Sequence, residues 1–413
     1  MVRRPVTGDQ MLIRKMNTSI VLDCLRMHAP LSRANLAERT GLNRSTISSI
    51  VSDLIDQTLV RETEYQSSGV GRPGMSLELD PRGGCAVGVE IGVDFISIIL
   101  TDFVADVLWR RRVPSDSAEG QEVIVKRAEE LVAQALTLGQ ERGLQPLGIG
   151  LGVPGLVDVR EGTLVVAPNL GWQDVPLERL WSTRFNLPVF VENEANAAAL
   201  GEYFFGVARD VTNFIYLSAG VGLGGGIIIG SKLFRGSGGY AGEIGHMTMV
   251  PGGEPCGCGK RGCWETVAGP RAIMGHVVEA LTEQPRGALY ELVEGDLERV
   301  TVDIVVKAAG DGDRVALQAL EEVGQQLGVG IANLINIFNP ELVVLGGALS
   351  LAGDFLMPVV EQTVRSHTLA QPRRVVRLAR SAHGADACVR GTVALVLDDI
   401  LREPMPALTT VHS

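Results

Sequence analysis

The chain has 413 residues, of which 46% are apolar and 50 are glycine, a length and composition that suit two or three α/β-type domains. Residues 1–18 lack an unbroken apolar core, and no stretch reaches the roughly 18 apolar residues needed to cross a bilayer. These features argue against a secretory signal and a membrane span. They predict a soluble cytoplasmic protein.

The net charge of −11 is unevenly distributed. Residues 1–50 carry eight Lys and Arg against three Asp and Glu, a local balance of 8 − 3 = +5. Residues 81–413 carry 27 basic against 39 acidic residues, a balance of 27 − 39 = −12. Because an acidic surface repels nucleic acid, only the N-terminal segment is a plausible DNA-binding surface.

The apolar spacing of the N-terminal segment predicts three helices. The first covers residues 19–27, the second follows an N-cap at Ser32, and the third runs from Asn43 or Arg44 to about Gln57. Gly41 separates the last two, and two short helices around a glycine turn are typical of a helix-turn-helix. The residues expected to face inward are Ile20, Val21, Cys24, Leu25, Leu36, Ala37, Ile47, Val51, Leu54 and Ile55.

The start of the third helix carries short polar side chains and one arginine, which suit contact with phosphates and base edges. Alternating segments at 59–65 and 75–79 then predict a β-hairpin, or wing, whose tip would place Arg72 in a minor groove. We therefore expect Arg72→Ala to weaken operator binding. The predicted DNA contacts are Ser32, Arg33, Asn43, Arg44, Ser45, Thr46, Ser48, Gly71, Arg72 and Pro73. The alternative is a small helical domain for protein contacts, with a solvated loop.

From Gly84 onward, strands alternate with helices and glycine-rich turns follow strands. Strands are expected within 85–100 and at 109–113, 147–153, 188–191, 213–218, 226–229 and 342–345; helices are expected at 121–140, 194–205, 313–336 and 385–401. This pattern predicts an α/β architecture with a cleft between two lobes.

Several motifs in this region occur in the order found in the ROK family of repressors, unassigned reading frames and sugar kinases. They are Gly152-Val153-Pro154-Gly155, Asn169-Leu170-Gly171-Trp172, Glu192-Asn193-Glu194-Ala195-Asn196, Glu243-Ile244-Gly245-His246, Cys256-Gly257-Cys258-Gly259-Lys260-Arg261-Gly262-Cys263-Trp264-Glu265 and Gly346-Gly347. The resemblance covers residues 84 to about 400. With the winged helix in front, the chain is most similar to the family's xylose-operon repressors.

The resemblance implies a winged helix-turn-helix followed by a two-lobed actin/hexokinase-like domain with sugar bound between the lobes. We expect the DNA-binding domain at 1–82 and the sugar-binding domain at 83–413. Within the latter, the first lobe would span about 83–200 plus the C-terminal helix. The second lobe would span about 201–385.

A sugar pocket needs carboxylates and amides that meet hydroxyls at set angles. By resemblance, Asn193, Glu243, His246 and Glu265 match sugar-contacting positions, and Glu194 stands where the kinases have their catalytic base. Asn169 lies in a loop that reaches the same cleft in relatives. Taken singly, Asn193 would equally serve as a helix cap and Glu243 as a solvated loop residue.

Cys256, Cys258 and Cys263 lie within eight positions, and His246 precedes them by ten residues. Three thiolates and one imidazole form the closed tetrahedral shell of a structural zinc site. Family members hold zinc there, with the matching histidine as a ligand. The alternative is a reduced loop without metal. The isolated Cys24, Cys85 and Cys388 are expected to be core residues.

Two departures from the kinase pattern argue against phosphoryl transfer. Glu194 replaces the catalytic aspartate and is one methylene longer. The first phosphate loop reads Glu90-Ile91-Gly92-Val93-Asp94-Phe95 where the kinases resemble Asp-x-Gly-Gly-Thr-Lys, and Asp94 adds a charge that repels phosphate. No residue is therefore assigned a catalytic role. An ATP-dependent sugar kinase and a constitutive DNA-binding protein with a vestigial sugar lobe remain as alternatives.

The sequence thus predicts a sugar-responsive repressor. A homodimer, or alternatively a tetramer, would bind a palindromic operator and leave it when a monosaccharide closes the cleft and moves the winged helix. By resemblance the effector is xylose, with glucose as the next choice and other pentoses or an N-acetyl sugar as further alternatives.

Overall fold

The computed structural model describes residues 10–63 and 75–402. Its N-terminal domain packs three helices on a three-stranded antiparallel sheet of order β1-β3-β2. The helices are α1 (Gln10–His28), α2 (Arg33–Thr40) and α3 (Arg44–Asp56), and the strands are β1 (Leu31–Ser32), β2 (Val60–Thr63) and β3 (Ser76–Leu79). This arrangement confirms the predicted winged helix-turn-helix.

The ends of α2 and α3 are set by local side chains, as predicted. Ser32 caps α2 by accepting a hydrogen bond from the Asn35 amide at 3.2 Å. Gly41 ends α2 in the left-handed region at φ 70°, and Asn43 caps α3 by accepting from the Thr46 amide at 2.7 Å. The inward face of α3 is buried at Ile47, Ile50, Val51 and Leu54.

Two expectations for this domain need correction or lie outside the described residues. Helix α1 begins at Gln10 rather than at residue 19, and Ile20 is 44% exposed instead of buried. The buried stripe of α1 runs through Val21, Leu22 and Leu25, and Ile20 points about 100° away from Val21 around the helix. The wing tip, including the predicted DNA contacts Gly71, Arg72 and Pro73, lies outside the described residues.

The first lobe is built on a five-stranded mixed sheet of order β11-β7-β4-β5-β6. Its strands are β4 (Cys85–Ile91), β5 (Phe95–Asp102), β6 (Val107–Pro114), β7 (Pro146–Val153) and β11 (Val189–Asn193), with helices α4 (Gln121–Glu141), α5 (Leu177–Phe185) and α6 (Glu194–Phe205). The apolar stretch 85–100 is two antiparallel strands rather than one. An antiparallel sheet not expected from the sequence, β8 (Leu156–Asp158), β9 (Thr163–Ala167) and β10 (Trp172–Val175), is inserted between β7 and α5.

The second lobe has a sheet of order β14-β13-β12-β15-β16. Its strands are β12 (Phe214–Ala219), β13 (Leu223–Ile229), β14 (Lys232–Leu233), β15 (Leu342–Gly347) and β16 (Arg377–Arg380); its helices are α7 (Glu265–Ala268), α8 (Pro270–Glu283), α9 (Ala288–Leu292), α10 (Val302–Gly310), α11 (Arg314–Phe338), α12 (Gly353–His367) and α13 (Ala370–Val375). In both sheets the first three strands in chain order pair antiparallel with one another. The fourth strand lies parallel beside the first, and the fifth lies parallel beside the fourth. The two lobes thus repeat one topology.

The closing helix α14 (Ala387–Arg402) packs against α6 and crosses the first-lobe sheet. Gly391 allows this close approach, because a Cβ atom there would lie 1.6 Å from the Ala197 carbonyl oxygen. Helix α14 also touches α1 of the N-terminal domain. No helix in the described part of the chain is both long enough and apolar enough to span a bilayer.

Candidate functional site

Four predicted metal ligands converge in the second lobe. The donor atoms of His246, Cys256, Cys258 and Cys263 all lie within 4.8 Å of one another. The Cys258 and Cys263 sulfurs are 3.6 Å apart, and the Cys256 sulfur is 3.6 Å from His246 Nδ1. The structure therefore brings together a three-cysteine, one-histidine cluster that could bind a metal ion.

The spacing of these atoms fits a tetrahedral ion. Zinc–sulfur bonds of about 2.3 Å place two sulfurs of a tetrahedron about 3.8 Å apart, close to the 3.6 Å found between Cys258 and Cys263. Thiolate and imidazole donors are those that zinc prefers, and all four positions would be filled by protein. Such a shell suits a structural ion, since a catalytic one needs an open position.

The loop that carries the cysteines is held in place by its own backbone and by one tryptophan. The Cys256 amide donates to the Lys260 carbonyl at 2.8 Å, and the Trp264 amide donates to the Met247 carbonyl at 2.8 Å. The Trp264 indole is fully buried and donates to the Gln326 carbonyl on α11 at 3.0 Å. These hydrogen bonds anchor the cysteine-bearing loop to the core of the second lobe.

The cluster is continuous with the predicted sugar site. His246 Nδ1 faces the cysteines, while its Nε2 lies 3.8 Å from a carboxylate oxygen of Glu243. Glu265 Oε1 lies 2.7 Å from the Cys256 sulfur and 3.5 Å from His246 Nδ1. A metal that orients His246 would therefore also position the edge of the cleft.

The Asn193 side chain both caps α6 and binds the neighbouring loop. Its Oδ1 caps the helix by accepting from the Ala195 and Asn196 amides at 2.9 and 3.2 Å. Its Nδ2 donates to the Gly155 carbonyl at 2.9 Å. The capping alternative considered from the sequence is thus observed, and the second Nδ2 hydrogen is left for a ligand.

Gly155 shapes the adjoining loop. It has φ 99°, and a Cβ atom there would lie 2.2 Å from the Val166 carbonyl oxygen, so only glycine fits. Asn169 sits two residues beyond Ala167 in the exposed β9–β10 turn. It forms no side-chain hydrogen bond with the other predicted site residues within the described ranges.

A buried ion pair behind Asn193 was missed by the sequence reasoning. The Glu192 side chain is 2% exposed, and its Oε2 accepts from Arg235 Nε at 2.9 Å and from a terminal nitrogen at 2.6 Å. Glu192 Oε1 accepts from the Asn193 amide and from the Asn196 side chain. The pair joins the end of β11 to the loop after β14, and a single arginine 43 residues away gives no signal in the sequence.

Three glutamates near the cleft have pKa values above the usual range for a carboxyl group. Burial raises the pKa of Glu194 to about 7, and the negative charge of Glu243 adds to this shift. Burial likewise raises the pKa of Glu90 to about 8, with a further contribution from Glu194. Partial burial and Glu265 also raise the pKa of Glu243, while His246 opposes the shift.

In residues 90–95, the stretch that matches the kinase phosphate loop, an aromatic ring packs against the backbone. The Phe95 ring lies against Gly92, where an added Cβ atom would come within 2.5 Å of it. The Arg112 guanidinium stacks over the same ring, 3.5 Å from its centroid. Asp94 is exposed beside this stack.

Most side chains of the predicted DNA-binding face form hydrogen bonds within the protein. The Ser45 hydroxyl donates to Asn43 Oδ1 at 2.7 Å, and the Ser48 hydroxyl donates to the Arg44 carbonyl at 2.9 Å. Arg44, Ser45 and Ser48 are exposed at the start of α3, and Thr46 is half-buried. Arg33 instead forms an ion pair with Glu62 at 2.5 Å. Ser32 and Asn43 use their side-chain oxygens as helix caps.

Comparison with known proteins covers nearly the whole chain. The model of the ROK family matches residues 86–399. The chain is 36% identical over 397 residues to the xylose repressor of Caldicellulosiruptor bescii, covering 96% of this chain and 99% of the relative. It is 31% identical to the DNA-binding transcriptional dual regulator NagC of Escherichia coli, covering 93% and 94% of the two chains.

Solved structures give the same picture. A ROK family transcriptional regulator, a homologue of the E. coli Mlc protein, superposes with a TM-score of 0.81 at 29% identity and covers 94% of this chain and 98% of its own. A ROK family glucokinase from Streptomyces griseus, in complex with glucose and AMPPNP, superposes with a TM-score of 0.68 at 34% identity. It covers only 76% of this chain, against 99% of its own.

Proposed function

The chain belongs to the ROK family and is a sugar-responsive transcriptional repressor, and we propose that xylose is the effector that releases it from a palindromic operator. This proposal is supported best by the relatives that are transcriptional regulators, because they match both the winged helix and the sugar-binding lobes. The glucokinase leaves about a quarter of the chain unmatched. Glucose is the next effector to consider, and the likeness to the N-acetylglucosamine repressor of Escherichia coli O6:H1, at 31% identity, supports an N-acetyl sugar as a further candidate.

For DNA binding, we propose that α3 enters the major groove. Arg44, Ser45 and Ser48 are exposed at its first turns, where backbone amides also favour a phosphate. Thr46 and the capping residues Ser32 and Asn43 would orient this end of the motif. Arg33 and the wing residues Gly71, Arg72 and Pro73 would supply further contacts.

For the sugar, we propose that Asn193, Glu194, Glu243, His246 and Glu265 contact hydroxyl groups, with Asn169 closing one side. Asn193 offers a free amide hydrogen, and His246 offers its Nε2. A neutral Glu194 carboxyl would both donate and accept, which suits a sugar hydroxyl. The first lobe at 83–200 and the second at 201–385 would close on the ligand.

We propose that zinc fills the four-ligand cluster as a structural ion. When bound it would neutralise the thiolates and fix His246, so that the imidazole presents Nε2 to the cleft. The donor types and the 3.6 Å sulfur spacing support this assignment.

We propose that the protein does not transfer phosphate. The Phe95 ring and Arg112 fill the loop where kinases bring backbone amides to phosphate, and Asp94 adds a repelling charge. A coupled ADP-release assay with xylose and with glucose tests this point. Robust turnover that Glu194→Gln abolishes would establish the kinase alternative instead.

Gel shifts on the chain's own operator test the proposed function. We expect a dimer to bind two half-sites and xylose to weaken binding, while glucose and N-acetylglucosamine act less. Sedimentation of the same sample gives the oligomeric state. An operator complex that no sugar changes would rule out the inducer model and favour the constitutive DNA-binding alternative.

A further inference from the structure

A cavity of about 450 Å³ lies where the DNA-binding domain meets the sugar-binding domain, away from the predicted sugar site. Its walls come from the end of α1, the base of the wing, the β5–β6 turn, the end of α6 and one face of α14. The volume falls in the range of roughly 300–1,000 Å³ that is usual for small-molecule sites.

One wall of the cavity carries a buried guanidinium with unused hydrogen-bonding capacity. The Arg26 side chain is 8% exposed, and its planar group stacks on Phe204 at 4.2 Å. Asp23 binds its Nε and one terminal nitrogen at 2.9 and 2.8 Å. The other terminal nitrogen is buried and has no partner within the described residues. A buried, unpaired guanidinium nitrogen costs free energy unless an acceptor reaches it.

The charge of the lining favours an anion. Four arginines and two carboxylates line the cavity: Arg26, Arg61, Arg209, Arg390, Glu78 and Asp106. With Asp23, which is paired with Arg26, the balance of these groups is 4 − 3 = +1. Arg61 is already paired with Glu78 at 2.6 Å. Arg390 is half-buried and forms no side-chain ion pair in the described ranges. A guanidinium without a carboxylate partner is suited to bidentate binding of a phosphate.

We infer that this cavity binds a small phosphate monoester. The net positive charge of the lining and the guanidinium of Arg390, unpaired among the described residues, suit a phosphate group, and the apolar wall formed by Phe204 and Leu397 suits the carbon body of such a ligand. The volume is too large for inorganic phosphate alone to fill. The occupant touches the DNA-binding domain, the first lobe and α14 together, so it biases their relative orientation. This last, regulatory step rests on the proposed repressor function.

Calorimetry on the full-length protein tests the site without DNA. Ribose 5-phosphate is the probe, and ribose, inorganic phosphate and glucuronate are its controls for the sugar, the anion and a carboxylate. We expect ribose 5-phosphate to bind at one site per chain and Arg390→Gln to weaken it by at least about tenfold. Arg365→Gln, an arginine 73% exposed on α12, is the matched control and should leave affinity unchanged.

Two further variants keep the result interpretable. Arg209→Gln, on the exposed rim, should weaken binding less than Arg390→Gln. An unchanged urea melt of Arg390→Gln would show that this variant loses a contact and does not unfold. Glu243→Gln, in the sugar site, should leave binding within about twofold of the unmodified protein. Absence of saturable binding, equal binding of glucuronate, or loss in Glu243→Gln with retention in Arg390→Gln would each overturn the assignment.

Operator gel shifts at saturating ribose 5-phosphate address the regulatory step. We expect at least a threefold change in operator affinity in the unmodified protein, roughly 0.7 kcal/mol, and none in Arg390→Gln. Calorimetric binding with an unchanged operator affinity would refute the regulatory step alone. A protein that binds no operator at all would instead contradict the proposed function, while the calorimetric result would stand.

Discussion

Arg235 donates two hydrogen bonds, of 2.9 and 2.6 Å, to the buried carboxylate of Glu192. This ion pair connects the end of β11 to the loop that leads to Glu243. The other Glu192 oxygen holds the Asn193 amide. The pair therefore connects the two lobes immediately behind the proposed sugar contacts. Glu192 belongs to one of the motifs from which the site was predicted, but Arg235 belongs to none of them.

Arg235→Gln should destabilise the protein and loosen the site. Removing one partner of a buried ion pair costs about 3–5 kcal/mol, but Arg235 is 34% exposed, so solvent screening reduces the expected loss to about 1–3 kcal/mol. Urea melts with and without saturating sugar would measure this change and the loss of ligand stabilisation. The exposed pair of Arg365 and Glu361 is the control, and Arg365→Gln should change stability by less than about 0.5 kcal/mol. Equal effects of the two variants would contradict this role.

Cys258→Ser should remove the metal. A serine hydroxyl is a poor replacement for a thiolate, so we expect zinc content to fall from about one per chain to near zero, with a lower melting temperature. Because His246 would lose its anchor, sugar affinity should fall as well. Elemental analysis and thermal melts measure these effects. Cys24→Ser, at a half-buried cysteine outside the cluster, should retain the metal. Protein purified without chelator that holds no stoichiometric zinc would refute the assignment.

Local signals carried most of the fold prediction. Ser32, Gly41 and Asn43 mark helix boundaries because capping depends on residues a few positions away, and α2 and α3 begin and end where these predict. The same holds for α6, whose start at Glu194 follows the Asn193 cap. The order of motifs, through the family resemblance, supplied the two-lobed arrangement.

Features that depend on distant partners were missed. Helix α1 begins at Gln10, but Met11 and Met16 near its start are 76% and 57% exposed. The spacing of buried apolar residues therefore does not show where this helix begins. The sheet of β8, β9 and β10 is formed by short strands without clear alternation. The ion pair between Arg33 and Glu62, 29 residues apart, was likewise not predicted, and the DNA contact of Arg33 stays a prediction.

Arg44→Ala should weaken operator binding more than Arg33→Ala does. Arg44 is exposed and unpaired within the described residues, whereas Arg33 must first leave Glu62. We expect a loss of about 1–3 kcal/mol for Arg44→Ala and, if it contacts a phosphate, a salt slope smaller by about one. Fluorescence anisotropy at several salt concentrations measures both quantities. Arg299→Ala, in the second lobe, is the control and should bind as the unmodified protein does. A larger effect at Arg33 would reverse the proposed docking.

Glu90→Gln should stabilise the protein at alkaline pH. Burial holds the pKa of Glu90 at about 8 in the folded state, above the value of about 4.5 expected on unfolding, and one of its carboxylate oxygens is buried without a partner. The folded state therefore binds more protons between these two values, so the contribution of Glu90 to stability is complete below about pH 4.5 and is lost as pH rises to about 8.

Glutamine has nearly the same shape as glutamate but cannot ionise, so the substitution removes this loss of stability. The gain over the unmodified protein should be small near pH 5 and reach on the order of a few kcal/mol near pH 8.5. Urea melts across this range measure it, with Glu130→Gln on the exposed face of α4 as the control that should give a flat difference. A gain for Glu90→Gln that does not change with pH would mean that the carboxyl is not neutral in the folded protein.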